Sequence, residues 1–397
     1  MLGLKLHLLF VPLIICLTNI HVLGLFDYNI TMEDNHMFPF SSSEVNSNFL
    51  EHGKKLIQLH IFSRHGMRAP DLLYPSDPNP EAVWKEGLGR LTQLGKFQSY
   101  ALGRQLRWRY RDFISSHPHE VQVLSGEKNR CILSALCHVA ALYVPNSNWE
   151  FLPNFPWQPI PVKYKSIGRD KYLGTDKECP AAMKAAAEML ESEEGKAFLE
   201  SHKTIFQYLS HRSGLKIETW ADAAALYDIL SVEKAYNLII PSWARQNWEE
   251  LEWINDMSLY FATKSREYQR LKAVPLLAHI AKLMKERIKG EGKKVYVYSG
   301  HKKNLAAVLN ALEVYNRKEP PFCSTLVFEF YKEHEKHTVR LLYFNSTTPQ
   351  NGDQEPYVLT LPACDEFCPF VNFKRAIIKL NLFNGTEEWE KECEIKY

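Results

Sequence analysis

The segment KLIQLHIFS at 55–63 limits the fold most, because it is apolar on both faces at once. Leu56, Ile57, Leu59, Ile61 and Phe62 leave no side for water, so as a strand the segment needs cover above and below. A sheet layered between helices supplies that cover. VYVYSG at 295–300 reads as a second strand. Each run leads into a histidine, in SRHGMRAP (63–70) and SGHKKN (299–304).

The remaining elements fit such a sheet. GRLTQLG opens a helix with Leu94, Phe97, Ala101, Leu102 and Leu106 on one broad face. EVQVLS (120–125) is a short strand. Residues 130–143 form a helix, with Ile132, Leu136, Val139, Ala140 and Tyr143 at helical spacing. A Pro- and Trp-rich connector follows at 145–163, and 180–270 is helical by pattern. A helix over 271–288 carries Leu277, Ile280, Ala281 and Met284 on one face, and KGEGKK stops it. A helix through Leu305, Val308, Leu309 and Leu312 follows the second apolar strand. TLVFEFYKE and HTVRLLYF are then strands. This order predicts one α/β domain built from 54–145 and 271–397, with a mainly helical cap inserted at 146–270. Ligands of open α/β sheets bind beyond the carboxyl ends of the strands. His65 and His301 both lie there, so they can share one pocket.

Residues 1–24 read as a cleaved signal peptide, with Lys5 ahead of the apolar core LLFVPLIICL. A signal anchor is the alternative; the short run and Pro12 disfavour it. Residues 25–53 read as a loose N-terminal segment. No later run is apolar for long enough to span a bilayer. The expected location is the secretory pathway, secreted or lysosomal. A net charge of +2 gives no sign of nucleic-acid or membrane-surface partners.

Of eight cysteines, Cys16 leaves with the signal, and an odd number in an oxidising compartment leaves at least one unpaired. CDEFC (364–368) suits a small disulfide loop; a zinc site there lacks a second ligand pair at suitable spacing. Asn29, Asn345 and Asn384 each begin an Asn-x-Ser/Thr sequon and are candidate glycan sites.

The chemistry of RHGMRAP is that of an oxyanion site. Arg64 and Arg68 present planar forks that match phosphate. Gly66 permits close backbone approach. A neutral His65 beside bound phosphate can attack phosphorus and become a phosphohistidine, while the arginines offset charge on the transferring group. The competing readings are a surface histidine between solvated arginines, and a metal site using His60 and His65. The second lacks a third ligand, and the arginines oppose a cation.

Taken together, RHGMRAP, GRLTQLGKFQSYALGRQLRWRY (89–110), SGHKKN, IIPSWA (239–244) and EPYVLTLPACDEFCP (355–369) resemble the histidine acid phosphatases over roughly residues 54–393. That family includes the lysosomal and prostatic acid phosphatases of animals. The resemblance implies a phosphoglycerate-mutase-like core sheet flanked by helices, with a helical cap. It implies hydrolysis of phosphate monoesters at acid pH, without metal or organic cofactor, and a homodimer as in many animal relatives. It assigns His65 as nucleophile, Arg64 and Arg68 to phosphate binding, and His301 as a further donor beside a helix N-terminus. It pairs Cys179 with Cys393 and Cys364 with Cys368, leaving Cys323 without its partner. Cys131 and Cys137 fall on a core helix as buried thiols.

Two departures follow from the same resemblance. The family's His-Asp is here His301-Lys302, which removes the acid that protonates the leaving alcohol, an effect of typically 10²–10⁴-fold. Leu124 stands where the family has a phosphate-binding arginine, although Ser125 and Arg130 keep the pattern. Glu127 is the candidate substitute acid, and Lys303 a solvated helix residue or a minor phosphate contact. The sequence therefore supports either an acid phosphatase of weakened activity or a catalytically inactive phosphate- or phospholigand-binding glycoprotein. A purely structural role leaves RHGMRAP unexplained. Restoring aspartate at 302 is expected to raise activity.

Overall fold

The computed structural model describes residues 50–395 apart from 52, 147, 167 and 353. The expected signal peptide, most of the N-terminal segment, Cys16 and Asn29 lie outside the described residues. Within them, nine strands form one sheet. These are β1 (Leu50–Glu51), β2 (Lys54–Arg64), β3 (Val121–Ser125), β4 (Val162–Tyr164), β5 (Val295–Gly300), β6 (Thr325–Glu333), β7 (Lys336–Phe344), β8 (Tyr357–Leu359) and β9 (Cys368–Pro369). The spatial order is β4-β3-β5-β2-β6-β7-β8, with β1 added to β2 and β9 to β7. Strands β4, β3, β5 and β2 run parallel; β6, β7 and β8 extend the sheet antiparallel.

Alternation along β2 explains why the sheet must be covered twice. Leu59 and Ile61 join Val295, Val297, Leu102, Leu106 and Val139 in one apolar cluster. The helices on that side are α1 (Gln93–Arg109) and α2 (Asn129–Leu142). Phe62 points the other way, into a cluster with Tyr296, Tyr298, Leu277, Ile280 and Met284. The register of β2 with β5 matters most for chemistry. Arg64 lies opposite Gly300, so the next residue of each strand, His65 and His301, leaves the sheet beside the other.

Between Pro180 and Lys272 the chain is helical. Trp220, Leu226, Ile254 and Phe261 form an apolar cluster there, and Tyr74 from the proline-rich loop joins it. Trp220 is thus a core residue. The strands β4, β8 and β9 were not legible, being two or three residues long. The helices Phe370–Ile378 and Thr386–Glu392 were likewise missed in the Cys- and Pro-containing tail. Cys179 is bonded to Cys393 and Cys364 to Cys368. Cys131 and Cys323 are buried free thiols, whereas Cys137 is only half-buried. Asn384 is exposed; half-buried Asn345 accepts a hydrogen bond from the Gln354 amide at 2.8 Å.

Candidate active site

The loop after β2 lies tightly against the start of α1. A Cβ on Gly66 would fall 2.2 Å from the Gly95 carbonyl oxygen, so neither partner of this contact tolerates added bulk. The Gly66 N–H donates to Ser134 Oγ at 2.9 Å, and that hydroxyl donates to the Arg130 carbonyl. These contacts fix His65 against α2. Its Nδ1 is 2.8 Å from the Gly66 carbonyl oxygen, which can only accept. The proton therefore sits on Nδ1, and Nε2 keeps its lone pair. The His301 ring meets His65 edge-on, with centroids 5.4 Å apart.

His301 precedes the helix Lys302–Ala311, and its N–H donates to Asn304 Oδ1 at 3.0 Å. Burial, then the neighbouring His301 and Arg64, hold the His65 imidazole well below its ordinary range. Burial and then Arg130 and Arg64 pull His301 down to about 3. Both rings are thus neutral in mildly acidic solution, the state a nitrogen nucleophile requires.

Around the two rings runs a chain of alternating charges. Arg130 meets Asp71 at 3.5 Å, and Asp71 meets Arg68 at 3.2 Å. Arg68 donates to Asp228 at 2.9 Å, and Asp228 lies 3.7 Å from Lys302. Lys302 donates to Glu319 at 2.6 Å, whose other oxygen accepts from Arg64 at 2.7 Å. Asn255 also donates to Glu319, and the Arg64 guanidinium stacks on Phe322 at 3.8 Å. Burial would raise the Asp228 carboxyl, but Arg68 and Lys302 hold it below its ordinary range. Burial would likewise raise Glu319, yet Lys302 and Arg64 hold it down to about 2.

Two donors within this chain of charges lack a partner. Nε of Arg64 and Nε of Arg130 are buried without a hydrogen-bond partner among the described residues. An oxyanion beside the two imidazoles would lie among the cations of this chain and near the first turn of the helix Lys302–Ala311.

The sequence-derived candidates are distributed as follows. His65, His301, Arg64, Arg68 and Lys302 come together. Leu124 packs against the apolar core and offers no donor. One carboxylate oxygen of Glu127 is buried without a hydrogen-bond partner among the described residues. Lys303 donates to the half-buried Asp176 at 2.6 Å while its side chain stays 44% exposed, so it is an ion-pair residue that also meets solvent. His60 points away from His65: it lies between Gln58 and Tyr298 and stacks on Tyr296. Among the described residues no group of three His, Cys, Asp or Glu side chains is placed to hold a metal.

Asp228 and Glu319 were missed by sequence reasoning. Their signal was Lys302 itself. A lysine in the first turn of a helix faces the positive end of the macrodipole. It therefore calls for carboxylates from elsewhere in the fold.

The chain is also similar to known proteins. Residues 71–344 match the model of the histidine phosphatase superfamily, branch 2. The chain is 32% identical over 354 residues to a lysosomal acid phosphatase of Xenopus laevis, covering 87% of this chain and 80% of that one. It is 34% identical over 352 residues to a prostatic acid phosphatase of Rattus norvegicus, covering 86% and 89%. Among solved structures, a phytase from Citrobacter braakii superposes with a TM-score of 0.64 at 19% identity, covering 85% of this chain and 99% of that one. A Klebsiella phytase gives the same TM-score at 16% identity, covering 82% and 94%.

Proposed function

The chain belongs to the histidine phosphatase superfamily, branch 2, and from that premise we propose that it hydrolyses phosphate monoesters through a phosphohistidine on His65. The observation that carries the reading is the tautomer and setting of His65. Its Nδ1–H is committed to Gly66, its Nε2 is free, and His301 and the arginines surround it. His301 and the open Arg64 and Arg130 donors hold the phosphoryl oxygens. The helical segment at 146–270 acts as a cap on the leaving-group side.

Turnover of alkyl esters is weak in this reading. No protonated carboxyl faces the leaving group, since Asp228 and Glu319 are held ionised by their cations. The second reading, a phospholigand-binding glycoprotein of the secretory pathway, has its own support. Leu124 supplies no donor, and Glu319 already occupies part of the Arg64 fork.

One assay separates the two. The purified protein is incubated at acid pH with an aryl phosphate and an alkyl phosphate, and His65→Ala serves as the control. Aryl turnover that vanishes in the variant, with little alkyl turnover, is the expected result. Binding of phosphate without any aryl turnover selects the binding reading. Robust alkyl hydrolysis would refute the weak-acid argument.

A further inference from the structure

The alternating charges also bear on which leaving group the pocket accepts. Building on the reading of His65 as nucleophile, we propose that the preferred substrates are phosphoanhydrides, such as inorganic pyrophosphate or a nucleoside diphosphate, in which the expelled group is itself a phosphate.

Three observations converge on this class. The first is the missing proton. Asp228 and Glu319 are each bound to two cations, so neither carries a proton to give. An alkoxide leaves poorly without protonation, whereas phosphate leaves as a stable anion. The second is charge. The cations Arg64, Arg68, Arg130 and Lys302 outnumber Asp71, Asp228 and Glu319 by one, and Lys302 is that surplus. An aspartate at its place would leave the same cluster net negative. The third is access. The Lys302 side chain is 25% exposed, and it spends one N–H on Glu319. Its distance of 3.7 Å from Asp228 is beyond hydrogen-bonding range. An ammonium has three donors, so donors remain for a second phosphate group.

The reaction balances with water alone. His65 Nε2 attacks the terminal phosphorus. The N–P bond forms as the bond from that phosphorus to the bridging oxygen breaks. The electron pair leaves on the departing phosphate, and Lys302 stabilises its charge. Water then attacks the phosphohistidine, its oxygen bonds to phosphorus, and the N–P electron pair returns to Nε2. One proton of that water stays on the released phosphate, and the other passes to solvent, which protonates the phosphate expelled first. Pyrophosphate and water give two phosphates.

The test has a kinetic and a binding arm. Steady-state kcat/KM at acid pH is measured for pyrophosphate, an aryl phosphate and β-glycerophosphate. The wild type is expected to favour pyrophosphate over β-glycerophosphate at least tenfold. The ratio of pyrophosphate to aryl phosphate should fall at least tenfold in Lys302→Gln and survive in Lys302→Arg, both checked for folding by thermal melting. A wild-type ratio near one, or equal loss on all substrates in Lys302→Gln, overturns the proposal. The binding arm uses the His65→Ala protein and titration calorimetry. Pyrophosphate should bind at least tenfold tighter than phosphate, and Lys302→Gln should erase that margin. Should even the aryl phosphate go unhydrolysed by the wild type, it is the hydrolase reading that falls. The calorimetric margin then decides the ligand class on its own, and equal affinities would refute it.

Discussion

Glu233→Gln should abolish a pH dependence of stability that originates outside the catalytic pocket. Glu233 lies on the same helix as Asp228, Trp220–Ala235, and is fully buried. It faces the proline-rich loop that follows Arg68. Asn79 of that loop donates to Glu233 Oε1 at 3.0 Å and also to the Ile239 carbonyl. Asp77 and Tyr74 of the same loop face the carboxyl too. Burial, then the hydrogen bond and charge of Asp77, raise Glu233 from 4.5 to about 8. The folded dyad therefore keeps a proton that the unfolded chain has released. Its stabilisation is fully present below the unfolded value of 4.5 and is lost as pH rises through about 8. The limiting slope is about 1.4 kcal/mol per pH unit. Sharing between two carboxyls reduces it, so roughly 1–3 kcal/mol is lost between pH 5 and pH 7. That corresponds to about 1–4 °C in Tm for a domain of this size. Glutamine keeps the acceptor for Asn79 and offers Asp77 an amide donor that does not titrate. Thermal melts of both proteins should coincide near pH 5, and the variant should melt about 1–4 °C higher by pH 7. Parallel curves across that range would refute the shared proton.

Two further predictions concern the chain of charges. Glu319→Gln leaves Lys302 and Arg64 without their shared carboxylate, which should cost about 3–5 kcal/mol of stability at pH 5–7, measured by denaturant unfolding. The sign follows from a carboxyl depressed to about 2: its contribution is present above 4.5 and fades as pH falls toward 2, so the two proteins should converge in strong acid. Phosphate should bind this variant more tightly, because the Arg64 fork is released. Lys302→Asp alone should lower activity, contrary to the expectation from sequence, since it places a third carboxylate between Asp228 and Glu319. Paired with Glu319→Gln it should raise alkyl phosphate turnover above wild type, and failure of the pair to exceed the single variant would sink this reasoning.

The sheet was legible because its physics is local. An apolar stretch such as 55–63 fits few environments, and the histidines at 65 and 301 follow strand ends whatever the rest of the chain does. Parallel pairing of Arg64 with Gly300 then makes their meeting a matter of register. The short edge strands carry too few residues for a period to show. Asp228 and Glu319 were hidden for another reason. Each is an ordinary acid in its own segment, one on a helix and one before a Pro-Pro pair. They acquire meaning only when the fold sets them against Lys302. The free Cys131 is similar: it read as a core thiol, and it is, yet its sulfur also lies 3.6 Å from His301 Nε2.

Lys302 is better understood as one member of a set than as a single lost acid. A lysine at a helix N-terminus is unfavourable by itself, and so is a buried carboxylate before Pro320. Together they satisfy each other, and Arg64 and Asp228 extend the pairing in both directions. Strict alternation of sign along seven side chains means that no member changes sign without placing like charges side by side. The set also ties the acid–base character of the pocket to its anion affinity, because the lysine that cannot act as a good acid is the one that keeps the cluster positive. Under the proposed function, a site of this kind retains its nucleophile and its oxyanion donors while narrowing its substrates to those that need no proton on departure.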